Sequence, residues 1–294
     1  MGRPGTRFDI SVAENGLGFV IVMLRDTALV SVVVSIVLAA FLSRFSATKP
    51  SSAAVALAAS FFAAWASQSW TTLTPTRYLH WFPYVTVALA VVAIVMSVDE
   101  TKRWPWVLAT LCCIMAAWLL VPSFRSLQPR RLYAIGISIF TLVLAFGYEE
   151  LARRISPRLL TTCLMTTGVV AATVLAQSFG LKFAQITGML TAGLAGGLVV
   201  TFIARDLKPI GLSLIFSVVI THLMFVGWAN SSSKVTAFCF ALPPLAPLAL
   251  WVTGAKPPVP RQRFVAGLTV VALLLLLALV PAILAHPPWE GELE

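Results

Sequence analysis

His222 is the only histidine inside a long apolar run of this chain. An ionisable ring in hydrocarbon either serves a site or bonds, neutral, to a neighbouring helix. His80 lies in a connector and His286 at the end of the last run, so three separated histidines give no metal-ligand spacing. A second feature is Leu242-Pro-Pro-Leu-Ala-Pro, in which Pro243, Pro244 and Pro247 remove three backbone donors within five residues. A regular helix is not expected to continue through them. The freed carbonyls then have to face protein or a wet cavity, as in the discontinuous helices of many solute sites. Asn230 opens a short polar turn at 230–233 just before that run. His222, Asn230, Pro243, Pro244 and Pro247 are therefore the expected solute-binding residues; no catalytic residue and no metal ligand is expected.

Carboxylates are few and sit at the edges. The chain has 11 acidic residues, and none lies in the middle of an apolar run. Intramembrane proton relays need one there. Glu149 and Glu150 come nearest, and each has an arginine four residues on, Arg153 and Arg154. Acid-first i,i+4 pairing is the favourable order on a helix, so two local ion pairs are expected. The connector at 68–84 is the richest polar-aromatic stretch, with Thr76, Arg77, Tyr78, His80 and Trp81. It suits an interfacial connector, or recognition of a headgroup or saccharide. No phosphate-binding loop, nucleophile elbow, zinc-protease motif or dinucleotide fingerprint occurs. An enzyme is thus disfavoured, and no cofactor is expected.

Composition fixes what must position these residues. Of 294 residues, 59% are hydrophobic and 11% charged, with mean hydropathy +0.92. Soluble domains carry roughly 25% charged residues, so this chain cannot cover a globule with solvated groups. Lipid as the outer solvent resolves the deficit. The expected fold is all-α: a polytopic integral membrane helical bundle of about ten transmembrane helices at roughly 20 residues each, with no soluble domain. The runs are 27–42, 53–70, 82–98, 105–121, 133–148, 159–177, 186–204, 210–228, 235–252 and 264–285. Residues 1–26 form an N-terminal segment with an interfacial helix expected at 11–24, 27–285 the helical domain, and 286–294 a short acidic tail.

Within the seventh run, Gly193 and Gly197 make G-x-x-x-G, and Ala192 and Gly196 a parallel small pair. Close helix packing inside the chain is the expected use; a homodimer face is the alternative. Cys112, Cys113, Cys163 and Cys239 all fall in apolar runs and read as small packing residues. Trp65, Trp70, Trp81, Trp104, Trp106, Trp228 and Trp251 fall near run ends, as an interfacial aromatic belt would.

The net charge of +10 resides in the connectors and suits anionic lipid headgroups rather than nucleic acid. Odd-numbered connectors hold 12 basic residues and the opposite side 9. That lean puts both termini on the same side of a cell membrane, outside. Length and span count match small drug/metabolite-type exporters of two five-span halves, yet no repeat between halves is legible and the termini differ. That analogy carries no function by itself. The expectation is a small permease for an organic or lipid-like solute. A non-catalytic membrane subunit with a membrane-protein partner is the first alternative, and a lipid-modifying enzyme using His80 the second.

Overall fold

Each apolar run forms one helix in the computed structural model, which describes residues 28–44, 51–68, 74–98, 103–124, 127–178, 180–203, 211–231, 235–253 and 261–285. The expected interfacial helix at 11–24 and the acidic tail lie outside the described residues. In chain order the helices are α1 (Leu29–Leu42), α2 (Ser52–Ala66), α3 (Phe82–Val98, preceded by a 3-10 turn Tyr78–Trp81), α4 (Trp104–Leu120) and α5 (Arg130–Arg154). There follow α6 (Pro157–Gln177), α7 (Leu181–Ile203), α8 (Leu212–Asn230), α9 (Ala237–Leu245, running into a 3-10 segment Ala246–Thr253) and α10 (Arg261–Ala285). No strand occurs among the described residues. Among the described residues, six helical stretches are long and apolar enough to cross a membrane: Tyr78–Val98, Arg130–Arg154, Pro157–Gln177, Leu181–Phe202, Leu212–Asn230 and Val265–Ala285. Helices α1, α2, α4 and α9 are shorter.

The helices are sided the wrong way round for water. α1 exposes Leu29, Val33, Val37 and Phe41 while burying Ser31, Ser35 and Ala39. α5 exposes Leu132, Ile135, Ile139 and Val143 while burying Ser138 and Thr141. In water such faces would be sticky patches; against hydrocarbon they need no cover. α8 is buried nearly all round and forms the centre, with α2, α3, α5, α6 and α9 against it. A helix apolar on every side belongs in such a place.

Small residues set the closest approaches. Ser31 Oγ donates to the Met189 carbonyl and Ser35 Oγ to the Gly193 carbonyl, each at 2.8 Å. The four-residue step on both helices makes α1 and α7 parallel. A Cβ on Gly193 would lie 2.7 Å from Leu57 and Ser60 side-chain atoms, and one on Gly196 2.7 Å from Ser35 Cβ and 2.8 Å from the Val32 carbonyl. The close pair is therefore Gly193/Gly196, not the G-x-x-x-G pair: a Cβ on Gly197 would meet nothing within 4 Å. Residues three apart also share a helix face, and here that face meets α1 and α2 within the chain. Ala192 is buried beside it.

Antiparallel contacts fix the ends. Glu149, Tyr148 and Tyr133 of α5 meet Ser213, Phe216 and Phe225 of α8 in descending against ascending order. Trp106 stacks on Phe146, while Arg130 donates to the Trp118 and Val121 carbonyls, so α4 and α5 are antiparallel too. The bundle thus has a Glu149 end and an Asn230 end.

Candidate functional site

Glu149 closes one end of the bundle. The expected Glu149–Arg153 pair does not form. The Glu149 carboxyl, 2% exposed, accepts from the Gly211 N–H at 3.0 Å and from Ser213 Oγ at 2.5 Å. The free N–H groups at the start of a buried helix need acceptors, and that need outcompetes a local ion pair. Arg153 instead lies over Trp106, 5.3 Å from its centroid. Gly211 is required there: its φ is +76°, and a Cβ would lie 2.1 Å from Ala93 Cβ. The second expected pair does form, Arg154 to Glu150 at 2.5 Å. No buried side-chain polar atom at this junction lacks a partner among the described residues, so its role is anchorage of α5 to α8.

The middle of the bundle is different. Thr141, Thr167 and Thr221 are buried, and their hydroxyls find no hydrogen-bond partner among the described residues. His222 Nδ1–H donates to the Val218 carbonyl, 2.7 Å away, while Nε2 finds no partner among the described residues. Each residue sits near the midpoint of its helix: α5, α6 and α8. The α5–α8 register puts Thr141 at the depth of Thr221. Threonines in apolar helices usually bond back to the carbonyl four residues earlier. Thr162, Thr166, Thr173, Thr187 and Thr191 all do so. A buried hydroxyl left without a partner costs about 1–3 kcal/mol, which makes these exceptions informative.

α9 meets this layer with its prolines. As the sequence suggests, no regular α-helix runs through all three prolines: it ends at Leu245. It carries Pro243 and Pro244 inside its last turn and then tightens into the 3-10 segment, in which Pro247 lies. The i→i+3 bonds of a 3-10 helix take over where the α-helical donors are missing: Ala246 N–H reaches the Pro243 carbonyl as well as that of Leu242. Tyr148 of α5 donates its hydroxyl to the Pro244 carbonyl. Pro243 and Pro244 have no N–H for the carbonyls of Cys239 and Phe240.

A half-open pocket of about 120 Å³ lies between these elements, with Ala237, Ala241 and Trp228 exposed at its outer edge. α5 contributes Ile137 and Phe140, α8 contributes Thr221, Met224, Phe225 and Trp228, and α9 contributes Ala237, Phe240, Ala241 and Pro244. A second cavity of about 330 Å³ shares Ile137 and Phe225 and reaches along α5 past Gly136 to Pro129. A Cβ on Gly136 would meet nothing within 4 Å.

Asn230 stands apart from this site. It lies two helical turns beyond His222 and donates to the Val226 carbonyl at 2.8 Å. With Tyr78, Ser178 and Lys182 it lines a separate cavity of about 540 Å³ at the bundle's end. His80, from the polar-aromatic connector, bonds Thr76 and lies edge-on to Trp65 nearby. Trp65 itself is wholly buried in the core rather than placed in a belt. Of the expected site residues, the structure brings Pro244 to the central cavity, puts His222 next to Thr221 in the unpaired layer, and separates Asn230 from both. Thr141, Thr167 and Thr221, at the middle of their helices, and Tyr148, near the end of α5, escape sequence reasoning.

No protein-family model matches the chain, and neither a curated protein nor a solved structure matches it.

Proposed function

We propose that the chain is a ten-span integral membrane permease for an organic or lipid-like solute, with its site where α9 changes pitch against α5 and α8. One observation carries the reading: α9, which lacks the backbone donors of Pro243 and Pro244, lines a half-open pocket that reaches in to Thr221, whose buried hydroxyl has no partner among the described residues. Unsatisfied polar groups at that depth are costly unless something uses them.

The ten-span count draws support from geometry. The nine α-helical and eight 3-10 residues of α9 rise together about 30 Å, the thickness of a bilayer's hydrocarbon. The apolar outward faces suit lipid. The 12-to-9 lean of basic residues puts both termini outside the cell membrane.

The test is a stabilisation screen of the purified protein against neutral organic and lipid-like solutes, followed by exchange of the best solute in proteoliposomes. A stabilising solute that exchanges in wild type, but not in an inserted Pro243→Leu/Pro244→Leu variant, is the expected result. Exchange surviving that variant would remove the site. A stoichiometric companion protein with no exchanged solute would replace the permease with a membrane subunit.

A further inference from the structure

Every arginine–ring pair among the described residues lies at the Glu149 end of the bundle. Arg153 sits 5.3 Å over Trp106, Arg154 4.7 Å over Trp251 and Arg158 4.8 Å over Phe202. We infer that this end binds anionic phospholipid, with one lipid phosphate at Arg153 and another at Arg158. The inference is independent of the permease reading, since a membrane subunit would carry the same rim.

The rings set the depth. They come from three different elements: the start of α4, the 3-10 segment after α9 and the end of α7. Trp251 is 43% and Phe202 60% exposed. In a bundle whose outer solvent is lipid, such rings mark where hydrocarbon gives way to headgroups. A long arginine stem lying over them holds its guanidinium in the phosphate layer.

The three guanidinium groups are not equally engaged. Arg154 is already paired with Glu150. Arg153 has no hydrogen-bond acceptor among the described residues, and Trp106 holds its guanidinium by one face. Arg158 donates only its Nε–H, to the Thr201 carbonyl at 3.2 Å, so its two Nη groups are left for a ligand. It shares a half-open cleft with Ser156, Pro157 and Thr201. Ser156 Oγ accepts from the Leu159 N–H and keeps its own proton to donate. A guanidinium held by its face presents a planar fork of donors, which matches two oxygens of a phosphate.

Charge selects the lipid class. The described side chains at this end include Arg44, Arg103, Arg153, Arg154 and Arg158, against Glu149 and Glu150. Both glutamates are engaged within the bundle. A zwitterionic headgroup brings a cation of its own to this excess; a headgroup of net negative charge answers it. The stretch from Arg153 to Arg158 also belongs to the odd-numbered connectors, whose excess of basic residues points to the inner side. Anionic lipids concentrate in that leaflet. At the opposite end Arg130 is spent on the Trp118 and Val121 carbonyls.

Native mass spectrometry of the delipidated protein in detergent, titrated with phosphatidylglycerol or with phosphatidylcholine of the same chains, reads these sites. Two phosphatidylglycerol molecules should bind saturably, and phosphatidylcholine about fivefold more weakly or worse. Arg153→Gln and Arg158→Gln should each weaken one of the two about fivefold, and the double variant both. Arg158→Lys keeps the charge without the fork and should recover only part of the loss. Arg131→Gln removes one charge at the far end of α5 and should change neither. Each variant is first checked for wild-type elution and thermal stability.

Equal binding of phosphatidylcholine, unchanged binding in the double variant, or an equal loss in Arg131→Gln would overturn the inference; the last would reduce it to overall charge. Competition by glycerol phosphate at the lipid's own concentration would also overturn it, by putting a soluble phosphate ester in place of the lipid.

Discussion

The α1/α2/α7 region and the α5/α8/α9 region are built from similar residues but settle their polar groups in opposite ways. In the first, Ser31 and Ser35 donate across the helix interface to α7 carbonyls, and glycines bring the backbones into contact. In the second, Thr141 and Thr221 are equally buried yet unpartnered, and cavities replace close packing. A hydroxyl spent on a neighbouring helix holds the fold. One left without a partner at the centre of the bundle adds no such bond. The Glu149 end shows that α5 and α8 are capable of complete satisfaction, since the carboxyl there is fully engaged.

The largest effect should come at Gly211. A valine there meets Ala93 and must adopt a left-handed backbone, for a combined loss of about 4 kcal/mol. Loss of monodisperse protein on size exclusion would register it, and wild-type behaviour would refute the account of that junction. Glu149→Leu should follow, at about 3 kcal/mol, because the acceptor for the α8 start is removed. Glu149→Gln keeps one acceptor oxygen and should lose less; equal losses would show that shape, not hydrogen bonding, matters there.

Smaller effects sharpen the contrast within α7. Gly196→Ala should cost about 1–3 kcal/mol, since its Cβ meets a backbone carbonyl at 2.8 Å, whereas Gly197→Ala should be neutral or slightly stabilising. Thermal unfolding of the two variants side by side decides between the Gly193/Gly196 face and the G-x-x-x-G face. If Gly197→Ala is the worse of the two, the packing described for α7 is wrong.

Much of the architecture was legible from apolar runs, because a run long enough to cross hydrocarbon has few alternatives to a helix. The edges were less so. α5 extends from Arg130 to Arg154, beyond the apolar stretch at 133–148, because arginine and glutamate propagate a helix well even where lipid no longer requires it. Local spacing read Glu150–Arg154 correctly and Glu149–Arg153 wrongly; the difference lies in a helix start 62 residues away, which no local pattern contains. The prolines marked α9 as unusual, but the tightening into a 3-10 segment depends on the donors available after Pro244. The unpartnered threonines were invisible because a threonine in an apolar helix ordinarily bonds to its own backbone. Only the tertiary structure separates those that do from those that do not.

The central claim is that polar groups in α5/α8/α9 are unspent, while those between α1 and α7 are structural. It is tested most directly by deleting one hydroxyl from each region and measuring unfolding free energy in mixed micelles. Ser35→Ala should lose about 0.6–1 kcal/mol, the worth of an interhelical hydrogen bond. Thr221→Val, nearly isosteric, should lose nothing or gain about 1 kcal/mol, because it removes a buried group without a partner. A loss at Thr221 equal to that at Ser35 would contradict the account, since it would make the Thr221 hydroxyl part of the scaffold.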